Sequence, residues 1–203
     1  MNNLRSSTRR SLLDSLNDSE EFKDSGDLRL ILEETMSDMR KKSWPQVLRR
    51  VKTQGLKSVY LGVTKDGVIR YKTTSGTTKG KWWFQEVYFE DLPDVIAILN
   101  EDPSFTARDA LLLAMKGDVR IHCNDLSWKY WGWQYIATKK GYALKSETRF
   151  PRKRNPRLTG STCKHLLSVF NTLPFDWSKI VKDLRAKGII PKYKRRRKSA
   201  VKR

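Results

Sequence analysis

Residues 57–73 read KSVYLGVT-KDG-VIRYKT, and this stretch decides the fold class. Two runs rich in Val, Ile, Tyr and Thr, Lys57–Thr64 and Val68–Thr73, flank Lys65-Asp66-Gly67. Asp-Gly between such runs predicts a β-hairpin, because Gly supplies the positive φ that the turn needs. A longer turn, Gly76–Lys81, leads to a third expected strand, Trp82–Phe89. Asp91 is placed to cap a helix through Leu99, and Ser104 or Thr106 to cap another through Met115. Gly117-Asp118 opens a fourth strand, Val119–Cys123. Thr162 to Leu173 reads as helix, and Pro174 with Asp176 or Ser178 resets the chain for a last helix ending near Gly188. The expected architecture is α+β: a small antiparallel sheet packed with helices.

Outward from this core, residues 1–43 read as a helical N-terminal arm. Ser11–Leu16 and Leu28–Met39 are short amphipathic stretches around the polar, acidic Asn17–Gly26. So short an arm buries little of itself and is expected to pack on its own core. The core spans 44–190, with Pro45 opening a helix over Gln46–Thr53. Residues 191–203 form a polybasic tail with eight Lys and Arg between Lys192 and Arg203 and no acid, so it does not fold alone.

Across all 203 residues, 42 Lys and Arg face 22 Asp and Glu, a formal net charge of +20. Hydrophobic residues make up 38%, with 7 Trp, 7 Tyr and 7 Phe, which excludes a disordered polycation. No run approaches the roughly 18–20 apolar residues of a helical membrane span. Met1–Ser19 shows no signal-peptide core, and two cysteines are too few for a disulfide framework. The expectation is a soluble protein of a reducing compartment. The charge is lopsided: residues 1–125 hold 20 basic and 19 acidic side chains, residues 126–203 hold 22 and 3. Such a field attracts phosphate backbones or acidic protein surfaces. Its candidate contacts are Arg149, Arg152, Lys153, Arg154 and Arg157 in a loop stiffened by Pro151 and Pro156, and Lys194, Arg195, Arg196, Arg197 and Lys198 in the tail.

Both cysteines and both histidines fall in two tight clusters, His122-Cys123 and Cys163-Lys164-His165. Thiolate and imidazole are the donors that tetrahedral zinc takes. Neighbours on a strand point to opposite faces, so His122 and Cys123 do not both reach one ion. Cys123, Cys163 and His165 remain, one ligand short of a structural site. The alternative is a buried thiol pair with a helix-capping His165; a disulfide is disfavoured in a reducing cell.

The runs VRIHCNDLSWKYWGW (119–133) and RFPRKRNPRLTG (149–160), followed by Cys163-Lys164-His165-Leu166, resemble a family of tailed-phage virion structural proteins. That family is similar in turn to SWIM-type zinc fingers, with C-x-C on a hairpin and C-x-H on a helix. The resemblance covers roughly residues 45–175, with the SWIM-like region at 119–173. It matches Cys123 to the second Cys of the first pair, and Cys163 and His165 to the C-x-H. Ile121 stands in place of the first Cys. The resemblance implies a component of an assembled particle, made in the host cytoplasm and located in the virion. Its partners would be other virion proteins in a ring or multi-copy assembly, with DNA as a further partner and neither membrane nor small-molecule substrate.

Trp128, Tyr130, Trp131, Trp133 and Tyr135 place five aromatics in eight residues beside the basic loop. They suit either base stacking on single strands or a core, and most are expected to pack as core with polar tips bonded. None of the G-x-S-x-G, Walker-type, dinucleotide-binding or H-E-x-x-H patterns is present. A Cys163/His165 nucleophile pair is poorly aligned, because i and i+2 on a helix do not face each other, so no catalysis is expected. The alternative to a virion component is a free nucleic-acid-binding module or regulator with a SWIM-like zinc finger.

Overall fold

The computed structural model describes residues 55–191, Pro103 and Thr159 excepted. The expected arm, the helix at Gln46–Thr53 and the tail cations Lys194–Lys198 lie outside the described residues. Among those described, four strands run as an antiparallel meander: β1 (Ser58–Val63), β2 (Ile69–Thr74), β3 (Trp82–Phe89) and β4 (Val119–Cys123). The β1–β2 turn closes as expected at Asp66-Gly67, with Gly67 at φ +81°. Between β3 and β4 stand α1 (Leu92–Glu101) and α2 (Ala107–Ala114). Thr106 caps α2 in a reciprocal box with Asp109, which satisfies two orphan amides of its first turn.

After β4 the chain forms two short helices that periodicity does not reveal, α3 (Leu126–Tyr130) and α4 (Trp133–Lys139). They are joined through Gly132 at φ +74°. Trp128 and Trp133 are fully buried, Trp131 is partly so, and Tyr130 is exposed. Three of the five thus pack in or against the core, as expected of most of the run. Trp128 also departs from the expectation for polar tips, since its Nε1 finds no partner among the described residues. The chain then passes beside β4 through a parallel bridge, Ile121 to Ala143. Then follow α5 (Lys164–Thr172), a 3-10 turn at Leu173–Phe175 and α6 (Trp177–Ala186).

One sheet face carries Ile69, Tyr71, Val87, Phe89, Val119, Ile121 and Cys123, all buried. Helices α5 and α6 cover it, and α2 packs on α6. Polar contacts fix the register of sheet on helix. Tyr60 donates to Asp183 Oδ2 at 2.6 Å, Tyr71 to Asp176 Oδ2 at 3.3 Å, and the Ser58 and Ser168 hydroxyls share a bond of 2.8 Å.

Candidate functional site

Two places carry chemistry, a buried sulfur–imidazole cluster and an exposed basic loop. The cluster forms where the end of β4 meets the start of α5. Strand alternation turns Cys123 inward and His122 to the opposite face, as the spacing predicts. Cys163 is not helical: it is the N-cap of α5, extended at φ −93° and ψ 163°. This corrects the expectation that Cys163 and His165 diverge as helical i, i+2 neighbours. The extended cap swings the Cys163 thiol back toward His165 in the first turn. Cys123, Cys163 and His165 thus place their ligand atoms within 4.8 Å of one another and form a buried group that can hold a metal ion. All three side chains are sealed from solvent, with exposures of 1%, 0% and 1%.

The surroundings prepare Cys123 as an acceptor. A buried polar row crosses the sheet. Thr73 Oγ1 donates to Gln85 Oε1 at 2.7 Å, which turns the Gln85 amide so that its Nε2 donates to Cys123 Sγ at 3.5 Å. The Asp125 backbone N–H donates to the same sulfur at 3.4 Å. Burial pushes the Cys123 thiol up, but the Cys163 thiol, His165 and Gln85 outweigh it and hold the group well below the ordinary thiol range. Cys163 moves the opposite way. Burial and then the adjacent Cys123 sulfur push it up, and the Leu166 amide offsets only part of this.

Asp125 sits behind the imidazole, with Oδ2 3.1 Å from His165 Nδ1. Burial opposes charge on His165, yet Asp125 and Cys123 together hold its pKa above the ordinary value. Ser127 donates its backbone N–H and hydroxyl to Asp125, which stays ionised despite burial. This is the carboxylate–histidine arrangement that orients a metal-binding imidazole. Neither ring nitrogen of His165 has an aligned hydrogen bond among the described residues, although both are buried. Nδ1 has Asp125 as its ion-pair partner, which leaves Nε2 without one, and the imidazole with the two sulfurs can hold a cation. Sulfurs on a tetrahedral ion with bonds of about 2.3 Å lie about 3.8 Å apart, so the donors need to close by about an ångström or less. Ile121 is fully buried in the core, and no described residue supplies a fourth donor within this group.

Gln85 and Asp125 escape a reading of the sequence. The only signal of Gln85 is its polarity at an inward position on the same strand as the apolar Val87 and Phe89. Asp125 is signalled by standing as N-cap before Leu126-Ser127-Trp128, a cap that its bond from the Ser127 N–H realises.

The basic loop is a built surface. Pro151 is buried against Gly132, where an added Cβ would lie 2.2 Å from Pro151 Cγ. Asn155 is buried and its Nδ2 donates to the Trp131 carbonyl at 3.1 Å. Two anchors thus hold the loop on the α3–α4 turn, and Arg152, Lys153, Arg154 and Arg157 project outward. Those four make no ion pair among the described residues. Arg149 differs, because Glu147 lies 4.0 Å from it and the Tyr130 ring lies 5.6 Å from its guanidinium carbon. The expected loop cations are therefore brought together, whereas Cys123, Cys163 and His165 are enclosed separately in the core. No protein-family model, curated protein or solved structure matches the chain.

Proposed function

We propose that the chain is a structural component of a tailed-phage virion that fastens an acidic partner, DNA in the first instance, through its basic C-terminal half. The observation that carries the fastening role is the loop at 149–157. Pro151 and Asn155 anchor it, and it turns four cations to solvent with no ion pair among the described residues. A stiff cationic loop loses little conformational entropy on meeting phosphates, and each phosphate neutralised releases counterions. The virion assignment rests on the resemblance of residues 119–166 to virion structural proteins.

Mass spectrometry of purified particles tests the assignment by quantifying this chain against the portal and major capsid proteins. A small fixed ratio to the portal is expected, and absence from the particle would sink the structural role. The fastening role predicts a steep salt dependence of DNA binding. Arg152→Ala with Arg154→Ala is expected to lower the slope of log affinity against log salt by about 1.4–1.8, because two fewer phosphates are neutralised. An unchanged slope would remove these two residues from the DNA interface.

A second reading, a free nucleic-acid-binding module with a SWIM-like finger, is favoured by the buried Cys123, Cys163 and His165 group. Zinc is the ion proposed for these donors, with Asp125 orienting His165 and Gln85 supporting Cys123. Stoichiometric zinc in the purified protein, together with the chain's absence from particles, would favour this reading over the first.

A further inference from the structure

We infer that Tyr130 and Phe150, together with the loop cations, form a binding site for single-stranded nucleic acid in which the two rings stack on unpaired bases. The inference rests on the polyanion contact proposed for this loop and gives it a substrate class.

Five aromatics between 128 and 135 look alike in sequence, but the fold sorts them. Trp128 and Trp133 have 0% exposure, whereas Tyr130 is 52% exposed. Residues two apart on a helix face opposite sides, so α3 drives Trp128 inward and turns Tyr130 outward. From the other side the loop contributes Phe150, 40% exposed. Tyr135 meets Phe150 edge-on, with ring centres 5.6 Å apart and planes at 87°, which fixes the ring without a parallel neighbour covering it. The Arg149 guanidinium stands over Tyr130. Because Pro151 and Asn155 hold the loop against the α3–α4 turn, the rings and cations belong to one surface.

The charge around the rings is predominantly positive. Glu147 is the carboxylate beside them, and it is engaged by Lys129 at 3.5 Å, by the Arg149 guanidinium and by the Arg149 backbone N–H at 3.0 Å. That engagement holds its carboxyl below the ordinary range. Arg152, Lys153, Arg154 and Arg157 remain for a ligand. Duplex DNA presents phosphates but keeps its base faces stacked, so exposed rings would gain nothing from it. An acidic protein surface would occupy the cations and likewise leave the rings wet. A single strand offers phosphates and open base faces together, and base–aromatic stacking tolerates any sequence.

Fluorescence anisotropy of the full chain with a labelled oligothymidylate of about 12 nucleotides, and with a duplex of the same length, tests the site. Tyr130→Ala with Phe150→Ala is expected to weaken single-strand binding at least about tenfold, with duplex binding and the salt slope unchanged. Arg152→Ala with Arg154→Ala is expected to weaken both. Tyr130→Leu with Phe150→Leu keeps apolar bulk without a π face, and its matching loss separates stacking from any packing defect. If the aromatic variants bind the single strand as the wild type does while the arginine variant fails, stacking is overturned and polyanion contact stands. If neither oligonucleotide binds but polyglutamate does, the nucleic-acid site falls altogether and an acidic protein takes its place.

Discussion

Gly132→Ala is expected to be among the most damaging single substitutions in the fold, since Gly132 is itself buried. It costs about 3 kcal/mol and lowers the melting temperature by about 10 °C, since an added methyl meets two penalties at once. At φ +74° a non-glycine residue loses about 1–2 kcal/mol. The new Cβ would also sit 2.2 Å from Pro151 Cγ and 2.5 Å from Pro151 Cβ, atoms of a ring that cannot rotate away. Gly141 supplies the control. It has nearly the same backbone, φ +82°, with nothing within 4 Å of the added carbon. Gly141→Ala should therefore show the backbone penalty alone, about 1–2 kcal/mol. Parallel thermal melts followed by circular dichroism compare the two, and equal losses would mean that Pro151 does not press on Gly132. Because Pro151 anchors the basic loop, Gly132→Ala should also weaken DNA binding, whereas Gly141→Ala should not.

Zinc is expected to raise the melting temperature of the wild-type protein and leave Cys163→Ala unchanged. At a hundredfold excess of free ion over its dissociation constant the gain is about 2.7 kcal/mol. For a chain of this size that corresponds to about 5–10 °C. The sign of the pH dependence follows from the site. The ion needs both sulfurs as thiolates and His165 neutral. Cys123 is held low and gives up its proton readily, whereas Cys163 and His165 are both held above their ordinary values and keep theirs. Two protons therefore compete with the ion, and affinity should climb as pH rises through the raised His165 pKa and on toward that of Cys163. Competition with a chromophoric chelator between about pH 6 and about pH 8 reads this directly. Asp125→Asn should cost about 10–100-fold in affinity by releasing the imidazole from its orientation. Flat affinity across this range, or an Asp125→Asn variant that binds as the wild type does, would count against these ligands.

The legible parts of the fold are those with local signals. Asp66-Gly67 marks a turn whose geometry two residues determine, and Thr106 with Asp109 closes a helix start within four. The expected bounds of β3 and β4 are those of the strands formed, because turn residues flank both. The helices α3 and α4 are not legible because Gly132 interrupts the pattern at its middle. Trp and Tyr are also indifferent helix formers, and the burial of Trp128 and Trp133 decides the conformation. The cluster is half legible. Residue type alone brings Cys123, Cys163 and His165 together, but nothing local marks Cys163 as an extended cap rather than a helical residue. Gln85 reaches Cys123 only because the β3–β4 register sets them opposite each other, and register is a property of paired strands rather than of either one.

The hydrogen bonds that tie β1 to the end of the chain also govern how the protein is made. Tyr60 reaches Asp183 across 123 residues, and Ser58 reaches Ser168 across 110. A ribosome adding about 5–20 residues per second delivers α6 on the order of ten seconds after the β1–β2 hairpin has left the exit tunnel. Throughout that interval Ile69 and Tyr71, fully buried in the finished protein, lack the cover of α5 and α6. The N-terminal half of the fold therefore waits for its lid during synthesis. Mutations in α5 or α6 should reduce the yield of soluble protein more than their cost to the completed molecule would account for.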